Sequence, residues 1–74
     1  MSVQEAKAVL EEARFKFQFH LKQKGMKPDM LAPVIGRSTT YVRQLLSGAA
    51  RGQAARNHLK KLFEFTGYDG ELWF

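Results

Sequence analysis

The chain has 74 residues, which allows one small domain, and its 45% hydrophobic content is typical of a globular protein rather than a disordered one. It contains no cysteine, which excludes disulfides and thiolate metal sites. No apolar run approaches the ~18 residues that a membrane-spanning helix requires, and no signal peptide is recognisable. We therefore expect a cytoplasmic protein that does not contact a membrane.

Positive charge is concentrated in the middle of the chain. Eleven of the 12 lysine and arginine residues lie between Arg14 and Lys61, together with a single acidic residue, Asp29. The other acidic residues lie in the flanks. A local excess of this kind is the electrostatic pattern of a protein that binds a polyanion, whereas a basic surface that serves only solubility more often mixes both signs. Nucleic acid is the expected partner.

The first predicted helix covers residues 3–24, a stretch without glycine or proline. Apolar residues recur along it at spacings of three and four, which marks one face of a helix. The members of this face are Val3, Ala6, Leu10, Ala13, Phe17 and Leu21, and Phe15 and Phe19 form a second stripe. Residues 15–21 also alternate as a strand would, but no turn signal precedes them. We expect a helix, with a break near residues 10–13 as an alternative.

Residues 28–48 contain two short apolar-periodic segments separated by Gly36. Gly36 can adopt a positive φ and end the first segment in a tight turn, and Ser38 is a suitable N-cap for the second. Two short helices joined by a glycine-containing turn form a helix-turn-helix. Pro33 lies inside the first of them, where it removes a backbone donor. We expect that helix to begin late, near Met30, with the proline in its first turn; the alternative is a kinked helix.

Glycines also end the later helices. The third predicted helix ends at Gly48, and the fourth runs over residues 53–65 and ends at Gly67. Residues 67–74 form an apolar C-terminal segment that we expect to be a fifth helix. The predicted fold is all-α: a single domain over residues 1–74, built as a compact five-helix bundle that contains the helix-turn-helix and carries a helical extension at residues 1–12.

The segment 28–48 resembles the helix-turn-helix of the Cro/CI-type phage repressor family, the XRE-like or lambda-repressor-like domains. The residues that match the family pattern are Leu31-Ala32, Ile35, Gly36, Val42, Leu45 and Ser47-Gly48. With its flanks, the resemblance covers roughly residues 13–74, so the extension is not part of it. Pro33 departs from the pattern, because family members usually carry a helix former there. Arg37 also departs, because it replaces a small apolar residue.

The resemblance implies which residues contact DNA. The positions where this family's second helix meets base edges are Thr39, Thr40, Arg43 and Gln44. Arginine can bind guanine through two hydrogen bonds, and glutamine can do the same with adenine. The alternative is that these residues form an ordinary solvated helix face.

Other residues are expected to contact the DNA backbone, which positions a protein without reading sequence. These predicted phosphate contacts are Lys27, Arg37, Ser38, Tyr41, Ser47, Arg51 and Arg56. For Tyr41 an equal alternative is packing beside the first helix.

No catalytic or metal site is predicted, and no cofactor. His20 and His58 have neither cysteine partners nor a paired histidine at metal-binding spacing, so structural or surface roles are expected for both. Ser38 and Ser47 lack a base that would activate them as nucleophiles. We therefore do not expect an enzyme.

The C-terminal Leu72, Trp73 and Phe74 are the candidate dimer or partner interface, because similar family members dimerise near their C-termini. The N-terminal extension is an alternative. The sequence thus predicts a sequence-specific regulator of transcription that binds double-stranded DNA as a homodimer, a small phage-type repressor. The alternative is a helix-turn-helix module that binds and modulates a repressor protein, antirepressor-like in action. Pro33, Arg37 and the apolar extension keep this alternative open.

Overall fold

The computed structural model describes the backbone of residues 3–74 and the side chains of residues 11–74. The helices are α1 (Val3–Gln23), α2 (Pro28–Ile35), α3 (Thr39–Ser47) and α4 (Gln53–Thr66). Helix α2 packs against α3 and α4, and α1 packs against α3. Residues 3–74 contain no strand, so the all-α prediction is confirmed.

Helix α1 is continuous through residues 10–13, so the alternative of a break there is wrong. Met1 and Ser2 of the predicted extension lie outside the described part of the chain. The side chains of Val3, Ala6 and Leu10, predicted members of the apolar face, also lie outside it. Phe17 and Leu21 of the predicted apolar face are buried in the core. The second stripe, Phe15 and Phe19, lies on the opposite side of the helix and is exposed.

Helix α2 begins at Pro28, earlier than the sequence suggested, and it contains Pro33 in its interior. The expectation of a late start near Met30 is therefore wrong. Proline at the first helical position has a suitable φ and no N–H that needs a partner. Pro33 cannot donate to the carbonyl of Asp29 four residues earlier. Asp29 is exposed, so water can hydrogen-bond that carbonyl, and the helix tolerates the second proline.

Gly36 ends α2 in the left-handed conformation, with φ 64° and ψ 34°. Its N–H donates to the carbonyl of Pro33, and the N–H of Arg37 donates to the carbonyl of Ala32 at 3.1 Å. This pair of hydrogen bonds is a Schellman motif, which satisfies carbonyls at the end of a helix. The position of α3 relative to α2 therefore depends on a conformation that glycine adopts without strain.

Replacing Gly36 by valine should lower the free energy of unfolding by about 1–3 kcal/mol, because a β-branched side chain is strained at positive φ. No heavy atom outside the turn lies within 4 Å of the position that a Cβ would occupy, so the cost comes from the backbone. Gly36→Asn is the matched control, since asparagine tolerates this conformation. Chemical denaturation of both variants tests the turn, and equal losses for both would contradict it.

The predicted fifth helix is wrong, because residues 67–74 contain no helix. A helix over the last seven residues would have about two turns, too few to be stable alone. It would also include Asp69 and Gly70, both poor helix formers. The segment instead places Trp73 in the core, where its side chain is only 4% exposed. Tyr68, Leu72 and Phe74 pack against the core beside it.

An aromatic cluster joins α1, α4 and the C-terminal segment. The ring of Phe17 lies 4.6 Å from Phe63, 5.0 Å from Tyr68 and 5.9 Å from Trp73, measured between ring centroids. Burial raises the pKa of the Tyr68 phenol above its ordinary value, although the charge of Lys16 opposes this shift. Tyr68 is partly buried and packs against the core beside Phe17 and Phe63.

Candidate nucleic-acid interface

Helix α3 carries a polar stripe on its outer side. Thr40, Arg43, Gln44 and Ser47 are all exposed, and their spacing of three, one and three residues places them on one face of a helix. We call these four residues the α3 stripe. Thr39, also predicted to contact bases, is half-buried at the first turn. The structure thus brings the exposed Arg43 and Gln44 side by side, one turn after Thr40.

The inner side of α3 is anchored in the core. Val42 and Leu45 are completely buried, and Leu46 is half-buried against the same cluster. Burying a valine or leucine side chain contributes about 1.5–3 kcal/mol relative to leaving it exposed. Because the inner side of α3 packs in the core, the helix cannot rotate freely about its axis. The side chains of the α3 stripe therefore point outward.

The C-terminal end of α3 is held by two side chains of α1 that the sequence analysis did not single out. Gln18 Nε2 donates to the carbonyl of Leu46 at 2.6 Å, and Arg14 donates to the carbonyl of Ser47. Carbonyls at a helix end have no partner within the helix, so these contacts satisfy both groups. Arg14 and Gln18 lie one turn apart, beside the buried Phe17. That spacing is the only sequence signal for a shared role, and it does not specify the partner.

Ser38 caps the N-terminal end of α3. Its hydroxyl accepts a hydrogen bond from the N–H of Tyr41 at 3.1 Å, as predicted for an N-cap. The residue is exposed. Its predicted phosphate contact would therefore come from a side chain that already has a structural role.

Tyr41 connects α3 to α4 and to the turn. Its hydroxyl shares a hydrogen bond with Nδ1 of His58 at 2.9 Å, and the two rings meet edge to face. The guanidinium of Arg37 lies over the Tyr41 ring, 4.5 Å from its centroid. Neither sequence interpretation of Tyr41 included this contact with α4. Tyr41 and His58 lie 17 residues apart, and nothing in the sequence pattern around them indicates that they are in contact.

The remaining residues predicted to contact phosphates differ in exposure and in how many hydrogen bonds their side chains already make within the fold. Lys27 is exposed just before α2. Arg51 is exposed after α3, and its Nε donates to the carbonyl of Gly48 at 3.0 Å. The hydroxyl of Ser47 donates to the carbonyl of Gln44. Arg56 is half-buried and donates to the main-chain oxygen of Phe74, so part of its hydrogen-bonding capacity is used within the fold.

The candidate interface at Leu72, Trp73 and Phe74 differs from the expectation of an exposed apolar cluster. Trp73 is buried in the chain's own core, and Leu72 and Phe74 are partly buried against it. The cluster is covered because the C-terminal segment packs back against α1 and α4 through Trp73. For Trp73 the premise of a free surface is therefore wrong.

The positive charges of the region are largely free of internal ion pairs. Within residues 11–74 a single ion pair is found, between Lys16 and Glu12 at 3.4 Å. The exposed cations near α3, Lys27, Arg37, Arg43 and Arg51, are thus not neutralised by acids of the described chain. Their charge is available to an external anion.

Neither histidine takes part in a group of potential metal ligands among the described residues. His20 Nε2 lies 2.9 Å from the carbonyl of Thr66, which ties α1 to the end of α4, and His58 binds Tyr41. In the part of the chain that the structure covers, none of the helices has the length and apolarity to cross a membrane.

Comparison with known proteins assigns no family. The chain matches no protein-family model, and no curated protein or solved structure is significantly similar to it.

Proposed function

We propose that this protein is a sequence-specific transcriptional regulator that binds double-stranded DNA, a repressor of the small phage type. In this proposal α2, the turn at Gly36 and α3 act as a helix-turn-helix, and α3 enters the major groove. The bound protein would block access of polymerase to the site. The observation that carries the proposal is the exposed α3 stripe on a helix that is anchored on its other side by the completely buried Val42 and Leu45.

The chemistry of the stripe supports recognition of base edges. Within the described part of the chain, the side chains of Arg43 and Gln44 make no hydrogen bond, so their donors and acceptors are available to a ligand. Arginine pairs with guanine and glutamine with adenine, each through two hydrogen bonds in the major groove. Thr40, one turn earlier, can contact a thymine methyl or a phosphate.

The surrounding charge supports binding to the DNA backbone. Lys27 and Arg51 are exposed at the two ends of the α2–α3 unit, and Arg37 is exposed in its turn. Phosphates run beside a helix that lies in the groove. Such contacts raise affinity for any sequence and make it dependent on salt.

Gln44→Ala tests whether α3 reads sequence. The preferred site is first selected from a random duplex library, and affinity is then measured by fluorescence anisotropy over a range of salt concentrations. The variant should lose about 1–3 kcal/mol on the preferred site, with little change in the salt slope, because it removes a base contact but no charge. Gln23→Ala, which removes an exposed glutamine at the end of α1, is the matched control and should bind as the parent does.

Arg51→Ala provides the contrasting result. It should weaken binding to all sequences alike and reduce the salt slope by about one unit, because it removes a phosphate contact. Equal, sequence-independent losses for Gln44→Ala and Arg51→Ala would contradict the proposal. Weak duplex binding that is indifferent to Gln44 would point instead to the protein-partner alternative, in which the same face binds a repressor.

A further inference from the structure

The outer face of α1 exposes two phenylalanines one helical turn apart. Phe15 is 53% exposed and Phe19 is 61% exposed. They lie opposite Phe17, which is buried in the core, because residues two apart on a helix are separated by about 200°. A shallow apolar groove runs along them, flanked by Glu11, Glu12 and Lys16. The guanidinium of Arg14 covers part of the Phe15 ring, 4.9 Å from its centroid, and leaves the rest to solvent.

The residues along this face have the spacing of those that contact the partner helix in a coiled coil. Glu12, Phe15, Phe19 and Lys22 follow one another at intervals of three, four and three residues, the alternation of a and d positions in a coiled coil. All four are exposed. The face therefore has an apolar centre, an acid on its N-terminal side and a base on its C-terminal side.

This charge order identifies the partner that fits. A second copy of α1 in the parallel direction would place Glu12 against Glu12 and Lys22 against Lys22, which is unfavourable. In the antiparallel direction Phe15 of each copy meets Phe19 of the other, and Glu12 of each meets Lys22 of the other. We propose that the protein forms a symmetric dimer in which two α1 helices pair antiparallel through this face.

The arrangement is self-complementary, as a twofold interface requires. Two phenylalanine layers form its centre, and aromatic residues are frequent anchors of interfaces. At each end of the interface Glu12 of one copy forms an ion pair with Lys22 of the other. Glu12 contacts Lys16 of its own helix at 3.4 Å, but both side chains are 65% exposed. Such surface pairs are weak, so Glu12 can exchange this partner for Lys22 of a second copy. The interface includes none of the residues proposed to contact DNA, and it stands whether or not that function is correct.

Sedimentation velocity of the full chain over a concentration series tests the pairing. The parent should dimerise, and Phe15→Glu and Phe19→Glu should each raise the dissociation constant at least about 100-fold, because each change occurs twice and places a carboxylate in an apolar layer. Circular dichroism should remain that of the parent, since both residues are exposed. Phe65→Glu is the matched control: Phe65 is 55% exposed on α4, and its replacement should leave the dimer intact.

Charge exchange tests the direction of the helices. Glu12→Lys alone and Lys22→Glu alone should each weaken self-association by about tenfold, and an equimolar mixture of the two variants should form a heterodimer as tight as the parent dimer. A parent that stays monomeric at high concentration would overturn the proposal. So would a dimer that survives Phe15→Glu and Phe19→Glu, one that Phe65→Glu abolishes, or variants that do not rescue each other.

Discussion

Replacing Trp73 by alanine is expected to lower the free energy of unfolding by about 3–5 kcal/mol, the range for removing a buried large aromatic side chain. The side chain is 4% exposed and lies against Phe17 and Phe63. A chain of this length has a total stability of about 4–11 kcal/mol. The variant should therefore lose between about a quarter and all of the chain's stability. Urea denaturation followed by circular dichroism measures the change.

Phe65→Ala is the control for this prediction. It removes another large aromatic side chain, but one that is 55% exposed, so the loss should stay within about 0.5 kcal/mol, as for most surface substitutions. A chain that ends at Glu71 should be destabilised at least as much as Trp73→Ala, because it loses Trp73 together with its two neighbours. If that truncation keeps the parent's stability, the C-terminal segment is not part of the core.

Leu45→Ala is expected to cost about 2–5 kcal/mol, because it removes a completely buried side chain and leaves a cavity beneath α3. Leu46→Ala is the matched control on the same helix. Leu46 is only half-buried, so the same change should cost clearly less. Denaturation of both variants, measured side by side, tests which face of α3 is anchored. The reverse order of losses would mean that α3 is rotated about its axis, and the α3 stripe would then not face solvent.

Most helix boundaries follow from local chemistry that the sequence displays. Gly36 ends α2 because its left-handed conformation lets the last carbonyls of the helix accept hydrogen bonds. Ser38 caps α3 because its hydroxyl accepts a hydrogen bond from the N–H of Tyr41. Both effects involve only residues within about one turn. The buried face of α1 was likewise predictable at Phe17 and Leu21 from helical periodicity. The start of α2 was predicted wrongly because the cost of an interior proline was taken to exclude one, whereas α2 begins at Pro28 and contains Pro33 as well.

Part of the candidate site could also be predicted. The exposed positions of Thr40, Arg43 and Gln44 follow from the burial of Val42 and Leu45 on a short amphipathic helix. Whether these side chains bind DNA is a property of the complex, and it stays a prediction.

Only the tertiary structure decided the contacts between residues far apart in the chain. The C-terminal segment is irregular because Trp73 gains more by packing on Phe17 and Phe63 than a two-turn helix would gain from its own hydrogen bonds. The partners of Gln18 and Tyr41, the carbonyl of Leu46 and the ring of His58, are likewise set by how the helices pack. The sequence by itself determined most of the helix ends, those set by Gly36, Ser38, Gly48 and Gly67, and which faces are apolar, since those depend on neighbours within about one turn. Which of two apolar stripes on α1 is covered depends on the whole bundle: Phe17 is in the core, while Phe15 and Phe19 remain in solvent.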